Sequence, residues 1–184
     1  MYVWVAAAIR RDTTLRSAVR VPVSQMSDDT VRETVLGVRH VGCPVSDVSA
    51  RRPSARLQYL SRLDAAEGDS RRLLSVRATE PDAVVEALAA HDRLAAVSPV
   101  SEHGSGGLYC SIDVEYSPDN PSVSRITRRH GCYQHPVVTI DGGIERWTLY
   151  TRGKSKLADV VEEIRAHDNR VEVGRTTETI STDP

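Results

Sequence analysis

Between Leu108 and Arg175 the apolar residues change period from two to about 3.6 and back, then do so again, and few folds accept that rhythm. Leu108, Cys110, Ile112 and Val114 alternate with Tyr109, Ser111, Asp113 and Glu115, which predicts a strand with one buried face. Pro121 opens a helix carrying Val123 and Ile126, with Asp119 and Asn120 as its expected caps and Gly131 as its stop. Val137–Ile140 and Glu145–Thr151 flank Asp141-Gly142-Gly143, a hairpin signal, because adjacent glycines readily take positive φ. Leu157, Val160, Val161 and Ile164 form the clearest helical stripe, and Val171 and Val173 mark a closing strand. The order is β-α-β-β-α-β, a split βαβ unit.

The preceding segment repeats the theme less fully. A strand from Val35 to near His40 is broken by Gly42-Cys43-Pro44, since proline cannot continue a paired interior strand. Val45–Ser54 reads as a turn, and Ala55, Leu57, Tyr59, Ser61 and Leu63 as a half-buried strand. Leu73–Ala78 is its antiparallel partner. Pro81 opens a helix over residues 81–92, and Leu94–Val100 is a further strand. The expected class is therefore α+β, with two tandem ferredoxin-like (ACT-like) subdomains, antiparallel sheets and helices on one face. The first subdomain, residues 31–103, is expected to lack its first helix; the second spans 104–180. Two such units either cover each other's open sheet faces or align edge to edge as one longer sheet. Residues 1–30 read as a separate tail, or as the product of a misplaced start upstream of Met26, with a short added strand over Tyr2–Ala6 as the alternative.

Phe is absent and aromatics are 4% of the chain, so the core must come from Val, Leu, Ile and Ala, with little left for an aromatic cofactor box. The net charge is -1, but residues 1–25 hold four arginines against one aspartate, which leaves the remaining body net negative. Such a body has no long-range attraction for a phosphate backbone. Three cysteines read as reduced thiols of a cytoplasmic protein. The apolar run Met1–Ala8 is far short of the roughly 20 residues that span a bilayer, so no membrane role is expected.

A catalytic set is not evident. No serine lies in a G-x-S-x-G elbow, and Gly104-Ser105-Gly106-Gly107 precedes a strand and lacks the Lys-Ser or Lys-Thr of a phosphate loop. Asp113 and Glu115 share a strand face and read as solvated. The chain is expected to be no enzyme and to hold no cofactor. Histidine and cysteine cluster at His130, Cys132 and His135, with His40 and Cys43 in a comparable place after the first strand. Imidazole and thiolate suit zinc or copper, and a turn thiol suits redox chemistry. The spacing matches no closed ligand set, however, so these five are candidates beside the simpler reading as turn and strand-edge residues. Arg125, Arg128 and Arg129 lie on one helix side, and Arg71 and Arg72 form another basic pair. Neither makes a DNA-reading helix, and Tyr109 alone is a weak RNA-stacking platform.

Three stretches carry a likeness: VRHVGCPVSDVS at 38–49, RLQYLSRL at 56–63, and residues 142–178 with their ERWTLY segment, Glu145–Tyr150. Over about residues 32–180 the chain resembles the amino-terminal part of haloarchaeal transcription regulators of the bacterioopsin-activator type. The resemblance implies a two-part α/β sensory domain placed ahead of a helix-turn-helix. No DNA-contacting residue carries over, because the likeness ends before that helix-turn-helix. The expected partners are therefore a reader domain, in cis or on another regulator, and a second copy as a homodimer, with no specific DNA binding by this chain alone. A stand-alone small-molecule, metal or redox-sensing module is the alternative function.

Overall fold

The computed structural model describes residues 31–64, 69–104, 106–152 and 154–179; the expectations for residues 1–30 lie outside them. In chain order the elements are β1 (Val31–Arg39), α1 (Pro44–Arg51), β2 (Arg56–Asp64), β3 (Asp69–Arg77), α2 (Pro81–Ala89), β4 (Leu94–His103), β5 (Gly107–Glu115), α3 (Val123–Arg129), β6 (Tyr133–Gln134), β7 (Val138–Asp141), β8 (Ile144–Arg152), α4 (Lys154–Ala166) and β9 (Arg170–Thr179). The strands form one antiparallel sheet in the order β4-β5-β3-β2-β7-β8-β1-β9, with β6 pairing to β8.

The α+β class and the single helix-covered face agree with the sequence pattern, but the chain does not divide into two ferredoxin-like subdomains. β1 lies between β8 and β9, and β5 lies between β4 and β3. Each half thus gives its first strand to the other half's part of the sheet, and β2 against β7 joins the two parts edge to edge. Local periodicity places a strand but does not choose its partner, which is why the pattern points to two closed units.

The expected missing helix is also present. α1 occupies the segment read as a turn, with Pro44 in its first turn and Cys43 at its N-cap. Val45 and Val48 are buried on its inner face, yet Pro44, Ser46, Asp47 and Ser49 give it weak intrinsic propensity. Tertiary packing therefore supplies what the local sequence withholds. α3 starts later than expected: Ser122, not Asp119 or Asn120, is the cap, its Oγ accepting from Arg125 N at 3.2 Å.

Among the described residues all four helices lie on one face. α1 rests on β2, β7 and β8 beside α2, and α4 rests on β8 and β9 beside α3. Leu36, Val38, Leu57, Leu74, Val76, Ile112, Val114, Ile140 and Leu149 from the strands meet Val45, Val84, Leu88, Ile126, Val160 and Ile164 from the helices as one core. Gly142 and Gly143 turn the β7–β8 hairpin at φ 54° and 81°. A Cβ on Gly143 would stand 2.8 Å from Ala50 Cβ, so a residue without a side chain is what lets α1 settle on that hairpin.

Candidate functional site

Three elements converge where the first turn of α1 meets β8. Val38 is paired with Glu145 in the β1–β8 ladder, so His40, two residues on, emerges beside the Glu145 carboxylate. The chain then turns through Val41 and Gly42, with Cys43 N donating to His40 O at 3.3 Å, and α1 begins. Ser46, in the first turn of that helix, reaches across to β8. Glu145 shares the inward face of β8 with Trp147, Leu149 and Thr151, all buried.

The imidazole of His40, the thiol of Cys43 and the carboxylate of Glu145 each offer a donor atom, and these lie within 4.8 Å of one another. Their residues are 2%, 1% and 1% exposed, so bulk water does not compete for the site. His40 Nδ1 is 3.7 Å from Glu145 Oε1, and this buried nitrogen has no hydrogen-bond partner. Ser46 Oγ donates to Glu145 Oε1 at 3.0 Å and Trp147 Nε1 donates to Oε2 at 2.9 Å. Cys43 Sγ is 3.7 Å from the Tyr59 hydroxyl. The His40 ring stacks on Tyr116 at 5.6 Å, and the guanidinium of Arg72 lies 4.4 Å over Tyr59 and 5.5 Å over Tyr116.

The electrostatics are those of a closed charged cluster. Burial pulls the His40 imidazole down, but nearby Cys43 and the Glu145 carboxylate outweigh it and raise it to about 10. Burial pushes Glu145 up, yet His40, with help from Cys43 and Arg72, brings it down to about 2. Burial also holds the Tyr59 phenol well above its ordinary value. A buried charge is stable only when paired and hydrogen-bonded, and Glu145 meets both conditions.

Of the five histidine and cysteine candidates, the structure brings together His40 and Cys43. His130 caps the end of α3 and pairs with Glu163 of α4, beside the Arg129–Glu163 ion pair. Cys132 is buried with Sγ 3.9 Å from His130 O, and exposed His135 bonds the backbone of Val137. The third donor, Glu145, was missed as a ligand. Its signal is a carboxylate at the strand parity of Trp147 and Leu149, where an apolar residue is expected. The basic pair Arg71 and Arg72 is split by the pleat: Arg71 pairs with Asp113 on the open face at 2.7 Å, and Arg72 points inward to the cluster. Asn120, expected as a helix cap, instead bonds His40. A surface cleft lined by Arg51, Arg52, Ser54, Thr79 and Glu80 lies at the other end of α1 and includes no cluster residue.

No protein-family model matches the chain, and no curated protein is significantly similar to it. Among the described residues no helix is long and apolar enough to cross a membrane.

Proposed function

We propose that the chain is a non-catalytic sensing module whose signal is a metal ion held by His40 Nδ1, Cys43 Sγ and Glu145. One observation carries this reading: a fully buried imidazole nitrogen without a hydrogen-bond partner faces a thiol and a carboxylate, all within 4.8 Å. An unsatisfied buried polar atom costs about 1–3 kcal/mol, and a shared cation would satisfy this one. Ligand atoms on one tetrahedral ion sit about 3.3–3.8 Å apart, given metal–ligand lengths near 2.0–2.3 Å, so binding needs a contraction of at most about 1.5 Å. The hydroxyls of Tyr59 and Ser46 adjoin the donors and are the groups from which a fourth contact would come. Burial of all three donors favours holding an ion over turnover of a substrate.

The test is metal retention. The purified chain is loaded with zinc, dialysed exhaustively, and its metal measured by elemental mass spectrometry. One ion per chain is expected, with a saturable rise in Tm because a ligand of the native state stabilises it by mass action. Loss of the ion from the double variant His40→Ala, Cys43→Ser places it in this cluster. Absence of both retained metal and thermal shift in the unaltered chain would overturn the reading.

We further propose that this sensing serves gene regulation through a reader domain in cis or on a partner. The ERWTLY segment, the most specific part of the likeness to bacterioopsin-activator-type regulators, supplies Glu145 and Trp147 to the cluster, and that placement supports the proposal. Three unpaired, buried cysteines support a cytoplasmic setting. A promoter-binding comparison of this chain with a fusion to the expected reader, at matched salt, tests the division of labour.

A further inference from the structure

We infer that Asn120 and Asn169 are positioning residues that make His40 a one-sided donor, and that the centre they complete takes a zinc-class, borderline-soft divalent ion; this rests on the metal reading above. Both asparagines come from turns of the second half, Asn120 between β5 and α3 and Asn169 immediately before β9. Together they grip the β1–α1 turn. Asn120 Nδ2 donates to Val41 O at 2.6 Å, and Asn169 Oδ1 accepts from Val41 N at 2.8 Å.

Those backbone contacts fix which way each amide faces. With its Nδ2 committed to Val41 O, Asn120 can present only Oδ1 to the histidine. That oxygen also accepts from Asn169 Nδ2 at 3.2 Å, which confirms its role as acceptor. His40 Nε2, 3.1 Å away, must therefore carry a proton to make the bond. With Nε2 protonated, the position open to an ion is Nδ1, the nitrogen that faces Glu145 and Cys43, where a bound ion would take the place of the second ring proton that the charged, metal-free imidazole holds. Stacking on Tyr116 with an interplanar angle of 11° holds the ring in that plane.

A ligating histidine ordinarily gives its second N–H to an oxygen, which sets tautomer and orientation together. Here the acceptor is an amide that is itself held by two further bonds. The Glu145 carboxylate is braced in the same way, by Ser46 on one oxygen and Trp147 on the other. The ion class follows from the donors. One nitrogen, one sulfur and one carboxylate suit zinc and its near neighbours, whereas magnesium and calcium require about six or more oxygens.

The experiment uses cobalt(II) alone as a spectroscopic stand-in, with the full chain, followed by displacement with zinc. The unaltered chain is expected to bind one cobalt with a thiolate-to-metal charge-transfer band, and zinc to displace it. Asn120→Ala removes the acceptor and is expected to weaken cobalt binding about 10–100-fold. Asn120→Asp keeps an acceptor for Nε2–H but loses the donor to Val41 O, and is expected to recover the affinity only in part. Nitrogen-15 spectra of the zinc-loaded chain are expected to show coordination through Nδ1 with the proton kept on Nε2, a signature that a merely structural asparagine would not dictate. Failure of the unaltered chain to bind cobalt overturns the metal reading and this inference together. Binding that Asn120→Ala leaves unchanged, or coordination through Nε2, overturns this inference alone. If Asn120→Ala does not fold, the nitrogen-15 spectrum of the unaltered chain decides by itself.

Discussion

Trp147 gives its indole N–H to Glu145 Oε2 at 2.9 Å, so the fluorophore is bonded directly to a proposed metal ligand two residues before it on β8. A cation that draws charge from the carboxylate alters that bond and the emission with it. In a Trp4→Phe background, zinc titration should change the intensity of Trp147 emission and saturate near one equivalent. Glu145→Gln should abolish the saturable change. An unaltered spectrum in a chain shown to retain zinc would separate the indole from the site.

Glu145 is the counter-charge for His40 and lies close to the buried Arg72. Replacing it with glutamine in the metal-free chain leaves buried positive charge without its partner, and such losses cost about 3–5 kcal/mol. Urea unfolding should show that drop as a lower midpoint with an unchanged slope. A difference under about 1 kcal/mol would mean that His40 is neutral in the resting fold.

The same pair sets how the metal-free chain responds to pH. His40, raised from 6.5 to about 10, contributes stability that is fully present below about 6.5 and is lost as pH rises through about 10. Glu145, lowered from 4.5 to about 2, contributes stability present above about 4.5 and lost as pH falls through about 2. Cys43, Arg72, Tyr59 and Tyr116 face these two groups and share the field. Melting temperature in the presence of chelator should therefore peak between about pH 4.5 and 6.5 and decline on both sides. A maximum above pH 8 would contradict the paired state.

Gly143→Ala should destabilise the fold by about 1–3 kcal/mol, since it adds a methyl against Ala50 at a backbone angle that L-residues avoid. Because this hairpin sets the height of Glu145 beneath α1, zinc affinity should fall as well. Chemical unfolding and zinc titration of the one variant measure both effects. Gly142→Ala, where nothing crowds the added methyl, is the control for backbone strain alone.

The exchange of β1 and β5 predicts that neither half folds by itself. Residues 31–103 without β5 leave β4 and β3 unjoined, and residues 104–179 without β1 leave β8 and β9 unjoined. Each fragment alone should show no cooperative melt by circular dichroism, and mixing the two should restore it. A cooperative transition in either isolated fragment would show that the halves close independently.

The parts of this fold that depend on neighbours in sequence are legible without coordinates. The β5 alternation, the α4 stripe and the Asp141-Gly142-Gly143 turn each follow from a local period or a local backbone demand. α1 is not legible, because Pro44, Ser46 and Ser49 resemble turn chemistry and only burial of Val45 and Val48 makes them helical. The site was half legible. His40 and Cys43 are adjacent in the chain and of ligand type, whereas Glu145 lies more than 100 residues away and reaches them only through the β1–β8 register. Asn120 and Asn169 look like turn residues by every local measure, and their hydrogen bonds to His40 and Val41 exist only in three dimensions.

The exchanged first strand also has a consequence for birth on the ribosome. Of the described strands β1 is made first, but it cannot be seated until β8 and β9 have left the exit tunnel, so it waits through the synthesis of the seven strands between without its edges paired. Non-local pairings of this kind fold slowly and expose strand edges meanwhile. An ion held between His40 and Glu145 would enter only after β8 had paired with β1, so its presence would report that this distant pairing had formed.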